Sequence, residues 1–311
     1  MTTAFFTHPD CLKHVTPPGH PERVDRLMAI YVALDTIDDP ALRRLEAPLG
    51  AEADILLCHP QHHIDAIRAA EPETSFASLD ADTHMSPGSY QAALRGVGAM
   101  TKAVDVVLDG EAQNAFAAMR PPGHHAEKTR QMGFCLFGNV AIGAKHAMER
   151  HGLSRVAIVD FDVHHGNGTQ DLLWDEARAL FVSSHQMPLW PGSGTSGERG
   201  AHSNVLNIPL APESTGVQMR QAYERMVFPA LEAFKPELLM ISAGFDAHAR
   251  DPLANLNWVE DDFAWVTERL CDIADQQCEG KVVSTLEGGY DLQALSASAK
   301  AHLEVLIARG Q

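Results

Sequence analysis

The feature that most constrains this chain is a series of short apolar runs separated by helical patterns. The runs occupy Ala115–Met119, Val156–Val159, Ala179–Val182, Val205–Ile208, Leu238–Ile241 and Val282–Leu286, and they read as strands buried on both faces. Helical patterns fall between or after several of them, at Val140–Arg150, Val217–Ala233, Asp261–Ala274 and Leu292–Ala308. Buried strands spaced by helices imply an α/β fold whose parallel sheet is covered on both faces. The first hundred residues look mostly helical, with helices expected over 20–35, 60–70 and Ser89–Leu108. No repeat, low-complexity tract or long Pro/Gly/Ser linker divides the chain, so residues 1–311 are expected to form one domain.

Ligands of such sheets sit just beyond the carboxyl ends of the strands, and four of those ends carry unusual polar clusters. After Val156–Val159, side chains alternate faces, so Asp160, Asp162 and His164 project to one side and Phe161 and Val163 to the other. Two carboxylates and an imidazole sharing one side of a buried strand end call for a cation, and Asp and His are ordinary zinc ligands. Asp246, just past the Leu238–Ile241 strand, is placed to complete a three-ligand set with Asp162 and His164. A catalytic zinc keeps a fourth position for water or substrate. His248, two residues on, is an open candidate for a further ligand, and Asp251 before Pro252 reads as a turn-starting carboxylate.

Arg120–His125 follows another strand, and Gly123 lets the backbone turn into His124 and His125. Paired imidazoles can serve as general base and acid near neutral pH. Asp160 and Asn167 are their plausible partners, one charged and one neutral, so the two rings should differ in basicity. A second pair, His62-His63 after Pro60, reads as part of a surface helix without chemistry. The last strand ends in Glu287-Gly-Gly-Tyr290, where two glycines allow close approach and the Tyr290 hydroxyl could donate to an oxyanion.

With Asp and Glu outnumbering Lys and Arg by 41 to 24, the formal net charge is −17, which argues against direct nucleic-acid binding and favours cationic ligands. Five cysteines without a CxxC spacing point to free thiols in a reducing compartment. No signal sequence or membrane-length apolar stretch is visible, so a cytoplasmic location without membrane association is expected.

Arg120–His125, Gly133–Asn139, Asp160–Gln170, Ser242–Asp246 and Glu287–Tyr290, in that order, resemble the histone deacetylase and acetylpolyamine amidohydrolase family, nearest to the class II branch and its bacterial relatives. With Gly19-His-Pro-Glu-Arg23 the likeness covers nearly the whole chain. The resemblance implies an arginase/deacetylase-like three-layer fold with a central, mainly parallel, eight-stranded sheet. It implies hydrolysis of an acyl-amine amide such as acetyl-lysine, with Zn²⁺ (Fe²⁺ also suits the donors) on Asp162, His164 and Asp246. It implies His125 as general base and acid, His124 as its electrostatic partner, Asp160 and Asn167 as their supports, and Tyr290 on the scissile carbonyl. Phe134 would form one wall of a narrow substrate tunnel with Gly133 beside it. A structural K⁺ would take Asp160, the carbonyls of Asp162 and His164, Ser183 and the carbonyl of Ser184.

Two departures bear on the substrate. Trp190 stands where relatives usually have Phe or Tyr, which would narrow or reshape the tunnel. Leu253 falls where polyamine-specific relatives place an acidic gatekeeper, which favours an apolar stem. A two-manganese ureohydrolase shares the implied fold but needs an Asp at the position of His248. A non-catalytic binder of acylated ligands would not need both histidines and Tyr290.

Overall fold

A computed structural model describes residues 2–311. Its strands are β1 (Thr3–Thr7), β2 (Leu42–Glu46), β3 (Ala77–Ser78), β4 (His84–Met85), β5 (Asn114–Ala117), β6 (Val156–Asp160), β7 (Ala179–Gln186), β8 (Val205–Leu210), β9 (Leu238–Ala243) and β10 (Val282–Leu286). Its helices are α1 (Val24–Leu34), α2 (Glu52–Ile55), α3 (Gln61–Ala70), α4 (Ser89–Leu108), α5 (Asn139–Arg150), α6 (Asn167–Leu173), α7 (Gly216–Ala222), α8 (Phe228–Phe234), α9 (Glu260–Cys278) and α10 (Leu292–Arg309).

Eight strands form one sheet in the order β2-β1-β5-β10-β9-β6-β7-β8, and β3 and β4 pair separately. Every pairing in the large sheet is parallel. The central strands β5, β6, β9 and β10 are buried along their whole length, because α4 and α5 pack together on one face and α1, α9 and α10 on the other. Each fully buried Val, Leu, Ile or Phe in this sandwich contributes about 1.5–3 kcal/mol relative to exposure. The six expected strands are all present, and the fold is the expected α/β three-layer arrangement.

The first hundred residues correct the helical expectation. They contribute α1 to α4, but also β1 and β2, which extend the sheet to its edge. β2 reads Leu-Arg-Arg-Leu-Glu, and its mixture of charged and half-buried positions is that of an edge strand. The expected helix Val217–Ala233 is broken into α7, a π turn at Tyr223–Val227, and α8. Pro229, which has no N–H for the carbonyl four residues earlier, accounts for the irregularity. No helix among the described residues is long and apolar enough to cross a membrane.

Candidate active site and metal centre

Four neighbouring strands, β5, β10, β9 and β6, end on the same side and deliver His124 and His125, Tyr290, Asp246, and Asp160 to His164. Asp162, His164 and Asp246 are buried, and one ligand atom from each lies within 4.8 Å of the others. His164 Nδ1 is 3.2 Å from Asp162 Oδ1 and 3.1 Å from Asp246 Oδ2. Backbone amides fix the remaining carboxylate oxygens: Gly288 N donates to Asp162 Oδ2 at 2.8 Å, and Val163 N to Asp246 Oδ1 at 2.8 Å. A side chain at Gly288 would collide with both carboxylates, so the glycine is what lets this strand end approach.

The donor set fits a divalent cation. Two buried carboxylates need compensating charge, and within the protein that charge comes from His164. Burial opposes its protonation, but Asp162 and Asp246 raise its pKa to about 10. A cation supplies the same charge and takes the same three atoms as ligands. His248 is not in this group. It accepts a hydrogen bond from Arg250 N at 3.1 Å, stacks on Phe263 and faces Glu260.

The two site histidines lie with ring centroids 3.9 Å apart. His124 Nδ1 donates to Asp160 Oδ2 at 2.9 Å, and His124 Nε2 is 3.8 Å from Asp162 Oδ2. Burial opposes its charge, yet Asp162 and Asp160 hold His124 well above the ordinary imidazole value. His125 is pushed well below that value by burial and by the neighbouring charges of His124 and His164. Its Nδ1 lies 2.7 Å from Asn167 Oδ1, while Asn167 Nδ2 donates to Glu127 Oε1 at 2.8 Å. That second bond orients the amide so that Oδ1 accepts from His125 Nδ1–H, leaving Nε2 with a free lone pair. The two rings thus differ in basicity in the predicted sense, with carboxylates raising His124 and burial with the neighbouring imidazoles lowering His125.

A cavity of about 210 Å³ opens onto these groups, lined by His125, His164, Tyr290, Gly133, Phe134, Trp190 and Leu253, together with Leu189 and Asp82. The Trp190 ring meets His125 edge-on at 4.7 Å, and Phe134 meets Tyr290 at 5.9 Å. Gly133 and Phe134 both take left-handed backbone conformations, at φ 56° and 69°. For Phe134 this costs about 1–3 kcal/mol, a strain found at functional sites. Burial raises the Tyr290 phenol well above its ordinary value, so it stays a proton donor.

Ser183 lies opposite Asp160 in the β6–β7 register, and Ser184 Oγ is 2.9 Å from Tyr223 OH. Asp251 does more than start a turn: its Oδ1 accepts from Leu253 N, and its Oδ2 accepts from Tyr290 N at 2.7 Å. His63 is buried against the Leu136 carbonyl, while His62 is exposed, so that pair is structural as expected.

Sequence reasoning missed four contributors. Glu287 is buried beneath the histidine loop, where Oε2 accepts from Gly123 N at 2.7 Å and His124 N at 3.1 Å, and Oε1 accepts from Ser242 Oγ. Its place at the end of β10 was the available signal. Glu127 and Asp82 come from irregular loops, whose spacing carries no periodic signal. Arg26 is also buried, donating to the carbonyls of Gly289 and Glu287 and lying 4.8 Å over the Tyr290 ring.

A profile of the histone deacetylase domain matches residues 20–306. The chain belongs to the histone deacetylase family. It is 43% identical over 300 residues to an uncharacterized protein of Synechocystis sp., covering 95% of this chain and 96% of that one. It is 38% identical over 310 residues to a histone deacetylase-like amidohydrolase of Pseudomonas aeruginosa, covering 93% of this chain and 81% of that one. The crystal structure of an HDA15 HD domain superposes with a TM-score of 0.93 at 32% identity, covering 99% of this chain and 90% of that chain. Membership in this histone deacetylase family makes the protein a hydrolase of amide bonds and establishes the arginase/deacetylase-like fold.

Proposed function

We propose that residues 1–311 act as one catalytic unit that hydrolyses an acyl-amine amide of the acetyl-lysine type. The observation that carries this reading is the three-ligand group of Asp162, His164 and Asp246 beside the free Nε2 of His125, at a cavity that His125 and His164 line. Asp162, His164 and Asp246 would hold Zn²⁺, with Fe²⁺ also suited to carboxylate and imidazole donors. Such an ion, when bound, acidifies water and polarises a carbonyl.

The protein's own groups carry the proton transfers. His125 Nε2 accepts a proton from the attacking water and returns it to the leaving amine nitrogen. His124 stays protonated between Asp160 and Asp162 and keeps the His125 imidazolium acidic enough to release that proton. The Tyr290 hydroxyl donates to the carbonyl oxygen as negative charge develops there. Phe134, Trp190, Leu253 and Gly133 hold the apolar stem. A structural K⁺ at Asp160, Ser183, and the carbonyls of Asp162, His164 and Ser184 is part of the proposal, supported by the Asp160–Ser183 register. The five cysteines are all free, which supports a reducing, cytoplasmic setting.

A polyamine substrate is favoured by one observation: Asp82 puts a carboxylate in the cavity wall. A turnover panel of acyl-lysine peptides against acetylpolyamines separates the two substrates. Acetate release from an acetyl-lysine reporter tests the chemistry, with His125→Ala expected to lower turnover about 10²–10⁴-fold at unchanged metal content. Wild-type rates in that variant would defeat the assignment.

A further inference from the structure

On the face of the sheet covered by α4 and α5, a second group of ligand-type side chains converges away from the cavity. Asp105 comes from α4, His146 from α5, and His151 is the residue that caps α5. Both imidazoles point Nε2 at one oxygen: His146 Nε2 is 2.7 Å and His151 Nε2 2.8 Å from Asp105 Oδ1. The three ligand atoms lie within 4.8 Å of one another. His146 is buried, whereas Asp105 and His151 are partly exposed, so the group is open to solution on one side.

The two carboxylates that face His146, Asp105 and Asp54, call for positive charge here, from ring protons or from a bound cation. If His146 donates from Nε2 as a neutral ring, its Nδ1 is a bare acceptor. That Nδ1 is buried, has no hydrogen-bond partner, and stands 3.5 Å from Asp54 Oδ1, so two acceptors would face each other. If both nitrogens carry protons, an imidazolium bridges Asp105 and Asp54; if Nδ1 alone carries one, it points at Asp54, and the Nε2 lone pair is free for a metal ion that supplies the same positive charge. A carboxylate behind the second nitrogen of a metal-binding imidazole is the usual outer support of such sites. One carboxylate and two imidazoles, with room for water, suit a borderline transition ion.

We infer that Asp105, His146 and His151 form a second, peripheral site for Zn²⁺ or a similar transition ion, with Asp54 orienting His146. An ion there ties α4 to α5 and to the carboxylate on α2. His146 and His151 lie about 10–18 Å along α5 from its start beside the histidine loop, so this ion takes no part in the hydrolysis.

The test uses the full chain with Asp162→Asn as background, which removes a ligand from the other candidate centre. Zn²⁺ alone is titrated, with bound metal measured after gel filtration and Tm recorded. One equivalent is expected to remain and to raise Tm. His151→Ala or Asp105→Asn should abolish both effects, Asp54→Asn should weaken binding about 10–100-fold, and the exposed-histidine control His62→Ala should change neither. In the otherwise native protein, His151→Ala should lose one equivalent and leave kcat unchanged. Zn²⁺ retention in both His151→Ala and Asp105→Asn, or no retained Zn²⁺ in the Asp162→Asn background, would overturn the inference.

Discussion

At the scale of single residues, His124 and His125 show how two identical side chains acquire opposite protonation. One faces carboxylates and the other faces an amide whose orientation Glu127 fixes. Asn167→Asp therefore places a charge where a neutral acceptor stood and favours the His125 imidazolium. The acid limb of kcat/KM should move to higher pH, by about one unit, and a pH–rate profile reads it directly. An unmoved limb would show that Asn167 does not tune the base. Tyr290→Phe removes the hydroxyl and keeps the ring that Arg26 and Phe134 contact. A fall of about 10²–10³-fold in kcat is expected, with the thermal midpoint little changed. These residues were legible in the sequence because each sits at a fixed offset from a buried strand. The role of Glu287 is not legible in its motif, because it depends on Gly123 and His124, more than 160 positions away along the chain.

Elements explain why the site is rigid. Parallel strands β5, β10, β9 and β6 bring their carboxyl ends level, and short glycine-containing turns carry the functional side chains from there. Gly133, in the loop between β5 and α5, is constrained twice over. A Cβ there would stand 2.5 Å from the His125 ring and 2.6 Å from Trp190, and φ is already 56°. Gly133→Ala should lower kcat/KM for acyl-lysine far more than it lowers Tm, which paired turnover and melting measurements check. The interior strands were readable as apolar runs because both their faces are covered. The apolar run in β1 is only Ala4-Phe5-Phe6 and β2 is charged, so neither gave that signal. The same reasoning explains the missed helix α6, since its Asn167-Gly-Thr-Gln start has no apolar periodicity.

Considered as a whole, the molecule carries buried neutral histidines besides those of the candidate site. Burial lowers His59, His165 and His302 to about 3 and His185 to about 4. In the unfolded chain they titrate near 6.5, so as pH falls the unfolded state takes up protons first. The stability they contribute is complete above that value and is lost as pH drops from about 6.5 towards their folded values. Glu287 and Asp251 act in the opposite sense. Burial raises both to about 7, so their contribution is complete below the ordinary carboxylate range and fades as pH rises through 7. Melting curves from pH 4 to 8 should show the acid loss, and His302→Gln, which removes one titrating ring from between Thr267 and Ser284, should make it shallower. An equally steep acid limb in that variant would remove His302 from the account.

The direction shared by all eight strands has a practical outcome. The groups that β5, β6, β9 and β10 deliver to the cavity all leave the sheet at one rim, so the turns at the opposite rim, such as the exposed Gly110 ahead of β5, are spectators. A label or surface tether attached there leaves the mouth of the cavity facing outward and unobstructed, whichever amide the enzyme is offered.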